Sequence, residues 1–92
     1  MAAERYVVFS HGKDSEPWGS KIAAMAEIAR EEGFHVESVD YRGIDDPHAR
    51  VTRLLAFCKD LRGQLVLVGS SMGGYVSVAG SSLLQARGMF LL

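Results

Sequence analysis

The chain has 92 residues, a net charge of -1 from ten basic and eleven acidic side chains, and 48% apolar residues. That size allows one domain or part of one, read as a single unit over 1–92, and the apolar content excludes intrinsic disorder, which pairs few apolar residues with high net charge. Interspersed charges leave no basic field for nucleic acid or anionic lipid, no apolar run nears the roughly twenty residues that cross a bilayer, and the polar start Met1-Ala2-Ala3-Glu4-Arg5 reads as no export signal.

Tyr6-Val7-Val8-Phe9 is a β-branched and aromatic run that enters Ser10-His11-Gly12, the pattern of a buried strand over 6–10 meeting a tight turn. A helix is expected from Ser15 to Glu32, with Ser15 as its cap, Pro17 in its first turn, and Trp18, Ile22, Met25 and Ala29 on one face. Gly33 stops it. Phe34 to Asp40 carries a less regular strand signal, and Tyr41-Arg42-Gly43 reads as a turn. Asp46 then caps a second helix with Pro47 at its first position and Val51, Leu54, Leu55, Cys58 and Leu61 at helical spacing, ending at Gly63. Cys58 lies on that apolar stripe and is expected in the core. A single cysteine forms no internal disulfide, which suits a reducing, cytoplasmic setting.

Gln64-Leu65-Val66-Leu67-Val68 reads as a central strand covered on both faces. A third helix follows the break at Gly69–Gly74, with Met72, Tyr75, Val76, Ala79 and Leu83 on one face and Gly88 as its stop. Met89 to Leu92 begins a fourth strand. Strands alternating with helices through short connections build right-handed crossovers. The expected architecture is therefore α/β, a three-layer αβα arrangement around a mainly parallel sheet.

Gly69-Ser70-Ser71-Met72-Gly73 matches G-x-S-x-G between an expected strand and an expected helix. Such a turn holds its central serine in a strained conformation, and side chains at the flanking glycines Gly69 and Gly73 would collide with nearby backbone. Ser71 is the candidate nucleophile. The first N–H groups of a helix lack intrahelical partners, so the Met72 N–H is placed to stabilise an oxyanion beside Ser71. A second donor is expected from the end of the first strand, at the backbone N–H of Lys13 or Gly12. Phosphate binding at the same turn is disfavoured, because neither G-x-x-x-x-G-K-[ST] nor G-x-G-x-x-G occurs. His11 is read as structural rather than as a base, Asp40 as a turn residue, His35 and His48 as exposed, and Trp18, Met25, Met72 and Tyr75 as packing residues.

The strand ending His11-Gly12, the elbow Gly69-Ser70-Ser71-Met72-Gly73-Gly74 and the helices between them resemble the first half of a small bacterial α/β-hydrolase of the esterase type. The resemblance covers nearly the whole chain. It implies the sheet order 34–40, 6–10, 64–69, 89–92, with Ser71 as acyl-forming nucleophile and Met72 and Lys13 as oxyanion donors. It also implies a small acyl ester as substrate, with no metal or organic cofactor.

In that family an acid and a histidine follow the serine. Here no Asp, Glu or His follows Met72. Three expectations arise. The chain is the N-terminal part of an esterase whose acid and base lie beyond residue 92, and alone is inactive; or it is a non-catalytic module that self-associates or binds a partner through its open strand 89–92; or it is an enzyme completed by a second polypeptide or by His11. The first is the reading adopted.

Overall fold

Alternating side chains on β1 (Arg5–Ser10) lay out the computed structural model, which describes residues 4–92. Met1 to Ala3, at which the reading of no export signal begins, lie outside the described residues. On one side β1 pairs in parallel with β2 (His35–Val39), and on the other with β3 (Gln64–Gly69). Beyond β3 lies β4 (Gly88–Leu91), also parallel, so the sheet order is β2-β1-β3-β4. That is the order the resemblance implied.

Successive residues of a strand point to opposite faces. Val8, Leu65 and Leu67 therefore share a face, where they pack with Leu54 and Cys58 of α2 (Pro47–Cys58) and Val76 of α3 (Met72–Leu84). Val7, Phe9 and Val68 share the other, covered by Ile22 and Ala26 of α1 (Ser20–Glu31). Helix, sheet and helix thus form the three expected layers. Asp46 caps α2 as expected, its carboxylate accepting the His48 N–H at 3.4 Å.

Three details of the sequence reading need correction. The first helix begins at Ser20 with Gly19 as its cap, not at Ser15. Pro17 disfavours a helical Glu16 before it, so residues 15–19 form turns, and Trp18 is exposed with the Arg30 guanidinium 5.6 Å from its ring centroid. The third helix ends at Gln85, which takes the left-handed conformation (φ 54°), while Gly88 opens β4. Its buried face is Gly73, Val76, Ser77 and Gly80, leaving Tyr75 and Leu83 exposed. Small residues face inward because α2 lies close: a Cβ on Gly80 would stand 2.9 Å from a Leu54 methyl carbon.

Among the described residues, no helix is long and apolar enough to cross a membrane.

Candidate functional site

The register sets Ser10 of β1 beside Gly69 of β3, so the two central strands deliver their carboxyl ends together. Each then leaves the sheet in a loop. The loop after β3 is a tight strand-to-helix turn in which the Ser70 N–H donates to Ser10 O (3.2 Å), the Gly73 N–H to Ser70 O (2.8 Å) and the Gly74 N–H to Ser71 O (2.9 Å). At its apex Ser71 has φ 57° and ψ -124°, a backbone conformation that costs a residue with a Cβ about 1–3 kcal/mol. Its side chain makes no capping bond to the helix and is exposed.

The flanking glycines are needed for the reason the motif suggests. A Cβ on Gly69 would stand 2.2 Å from Gly73 O, and one on Gly73 would stand 1.8 Å from Ser10 O. Neither position accepts a side chain without moving backbone.

The loop after β1 meets the elbow at Gly12. A Cβ there would lie 3.2 Å from the Ser71 Cβ, which places the Gly12 backbone directly against the serine. Met72 is the first residue of α3. Among the described residues, the N–H groups of Gly12, Lys13 and Met72 have no hydrogen-bond partner. Beside the elbow, at Ser70, lies a cleft of about 280 Å³ lined in part by His11, Ser15, Ile22 and Ser70. That is just below the roughly 300–1,000 Å³ typical of small-molecule sites.

His11, at the wall of this cleft, is buried. Its Nε2 accepts the Tyr41 N–H at 2.9 Å, and its Nδ1 donates to Gly12 O at 2.8 Å, which defines a neutral ring with the proton on Nδ1. Burial lowers its pKa below the ordinary value. With Nε2 already occupied, His11 has no lone pair to take a proton from Ser71. The structural role expected of it is the one its partners describe.

Two residues here escaped the sequence reading. Tyr41, taken only as part of a turn, is fully buried. Its hydroxyl bonds Ser10 Oγ at 2.8 Å, and burial pushes its pKa up to about 12. Arg50 is also fully buried, the largest such side chain. Its guanidinium donates to Ile44 O (2.6 Å), His11 O (3.0 Å), Gly12 O (3.4 Å) and Lys13 O (3.4 Å), and lies 5.2 Å from the Tyr41 ring centroid. A signal for Arg50 existed, since it stands one turn before Leu54 and two before Cys58 on the buried stripe of α2.

Of the remaining candidates, Asp40 has its Oδ1 4.0 Å from His11 Nε2. Asp40 is exposed and accepts the Arg42 N–H (2.9 Å), Nε (3.0 Å) and Nη2 (2.8 Å), and these bonds hold its carboxyl well below the usual range. It is a turn residue. Cys58 is in the core, where burial pushes its thiol up to about 11. His35 is exposed and paired with Glu4, and His48 is exposed. Among the described residues, no three His, Cys, Asp or Glu side chains converge to hold a metal ion. No His, Asp or Glu side chain is hydrogen-bonded to Ser71 Oγ among those residues either.

A family model described as the alpha/beta hydrolase family matches residues 7–92. The chain belongs to that family. Searches of curated proteins and of solved structures found no significant match.

Proposed function

We propose that this member of the alpha/beta hydrolase family is a serine hydrolase of the carboxylesterase type, acting on small acyl esters with Ser71 as nucleophile. One observation carries the reading: a non-glycine residue, Ser71, is held at φ 57° and displayed to solvent between β3 and α3. Such strain persists only where surrounding structure enforces it, and it collects at catalytic sites. The adjoining cleft of about 280 Å³ suits a small acyl group.

Ser71 Oγ gives its proton to a base and attacks the ester carbonyl carbon, and the π-electron pair moves to the carbonyl oxygen. The Met72 N–H and the N–H of Gly12 or Lys13 receive that oxyanion. The tetrahedral adduct collapses with loss of the alcohol, leaving Ser71 acylated, and water then releases the acid. The base cannot be His11, whose Nε2 is committed to the Tyr41 N–H. No His, Asp or Glu follows Ser71 within the 92 residues. On this reading the histidine and acid of the triad come from chain beyond residue 92, the isolated 92 residues turn over little ester, and no metal or organic cofactor takes part. The single cysteine and near-zero net charge fit a cytoplasmic enzyme of small molecules rather than of nucleic acid or membranes.

The test is labelling of the native, full-length gene product with a fluorophosphonate, read by mass on the peptide containing Ser71. Adduct on Ser71 that disappears in Ser71→Ala supports the reading, and an unlabelled Ser71 in folded protein refutes it.

A second reading is favoured by β4, where Met89, Phe90 and Leu91 on an edge strand, and Leu92 just after it, are exposed apolar residues. There the chain is a non-catalytic module that pairs with a second copy through residues 89–92. A monomer by sedimentation at every concentration, together with Ser71-dependent ester turnover, excludes it.

A further inference from the structure

We propose that Arg50 is a positioning residue for the oxyanion site, clamping the carbonyls of the 11–13 loop so that the opposite ends of the same peptides face Ser71; the proposal rests on the serine hydrolase reading. Arg50 has no carboxylate partner within ion-pair distance among the described residues. Burying a cation without a counter-ion is costly, and an apolar side chain at this place on the α2 stripe would avoid that cost. What the guanidinium meets instead is Ile44 O and the carbonyl oxygens of three consecutive residues, His11, Gly12 and Lys13.

In a trans peptide the C=O of one residue and the N–H of the next are held in one plane and point in opposite directions. No cis peptide occurs among the described residues. Capturing His11 O at 3.0 Å therefore turns the Gly12 N–H away from Arg50, and capturing Gly12 O at 3.4 Å does the same for the Lys13 N–H. Gly12 O is held further by His11 Nδ1 (2.8 Å) and Ser15 Oγ (3.2 Å). Both N–H groups are without a partner among the described residues, and the Gly12 backbone lies against the Ser71 Cβ. A donated hydrogen bond at the carbonyl also polarises the peptide and strengthens its N–H as a donor. Arg50 thus acts on the oxyanion through the loop, from the side away from substrate.

The experiment uses the full-length gene product and measures the fluorophosphonate reaction of Ser71, separated into reagent binding and the rate constant of phosphonylation. It compares wild type with Arg50→Met, Arg50→Lys and, as a control from the same helix, Arg53→Met. Rates are taken per folded molecule. Arg50→Met is expected to slow phosphonylation about 10-fold or more, short of the roughly 10²–10³-fold seen when an oxyanion donor is itself deleted. Reagent binding should change little, Arg50→Lys should recover part of the rate, and Arg53→Met should match wild type. If Arg50→Met does not fold, Arg50→Lys carries the test with two-dimensional amide NMR. Displaced Gly12 and Lys13 resonances with slowed phosphonylation support the clamp. Arg50 variants that label at the wild-type rate, whatever their stability, overturn it while leaving the hydrolase reading standing. An unlabelled Ser71 in wild type overturns both.

Discussion

Replacing Ser71 by glycine is expected to stabilise the fold while removing its chemistry. The serine backbone sits at φ 57°, ψ -124°, where a Cβ costs about 1–3 kcal/mol. Glycine relieves that strain but loses about 0.5–1 kcal/mol through the extra freedom of its unfolded backbone. No other interaction is lost, since the side chain is exposed and makes no capping bond. The net expectation is a gain of about 1 kcal/mol, within limits of about 0 to 2.5 kcal/mol from these two terms. Ser71→Ala keeps the Cβ and the strain, so it should stay within about 0.5 kcal/mol of wild type. Equilibrium urea unfolding separates the variants: with a slope of about 2 kcal/mol per molar, a 1 kcal/mol gain moves the midpoint up by about 0.5 M. Neither variant should take up fluorophosphonate at residue 71. A Ser71→Gly midpoint at or below that of Ser71→Ala would refute the argument that strain is stored at this residue.

Gly73→Ala should cost about 3 kcal/mol or prevent folding, because the new Cβ meets a backbone oxygen, Ser10 O, and no flexible side chain can yield; a midpoint within 1 kcal/mol of wild type, on the scale of about 1–3 kcal/mol for ordinary overpacking, would contradict the close approach. Stability should also fall on mild acidification. His11 is held neutral in the fold with its pKa lowered from 6.5, so the unfolded chain binds the proton first, and stability is full above 6.5 and declines as pH falls through that value towards the folded pKa. Asp40 shifts in the other window, its contribution being lost only below its ordinary 3.8. Urea midpoints between about pH 7 and 5 should therefore flatten in His11→Asn, and an unchanged slope would assign the effect elsewhere.

Element types were readable because each signal was local, whereas the sheet order came with the family resemblance. Apolar runs such as Leu65–Val68 mark strands covered on both faces, Asp46-Pro47 marks a helix start, and the elbow is a contiguous motif. What escaped depends on contacts distant in sequence. Tyr41 looks like a turn residue until Ser10 and His11, about thirty positions away, supply partners for its hydroxyl and its N–H. Arg50 looks like a solvated charge until the loop carbonyls at 11–13 are folded onto it. Pattern reading also erred where residue size mattered more than hydrophobicity. Tyr75 and Leu83 are the bulky residues of α3, yet the close approach of Leu54 to Gly80 selects the face with the smallest side chains.

The same closeness explains how two loops from separate strands act as one site. Gly73 leaves no space between the start of α3 and the Ser10 carbonyl, so the elbow cannot shift against the end of β1 without a clash. Ser10 in turn accepts the Ser70 N–H and is tied by its own hydroxyl to Tyr41, whose backbone N–H fixes the His11 ring. His11 and Arg50 then hold the Gly12 carbonyl from two directions. A nucleophile held by strain is useful only if its oxyanion donors are held equally well, because electrostatic stabilisation depends on dipoles that need not reorganise during the reaction. On the proposed reading the chain meets that condition with backbone groups, two glycines and four buried polar side chains, behind an exposed serine. Substitutions at Tyr41 or His11 should therefore loosen the geometry at Ser71 and slow its labelling by fluorophosphonate.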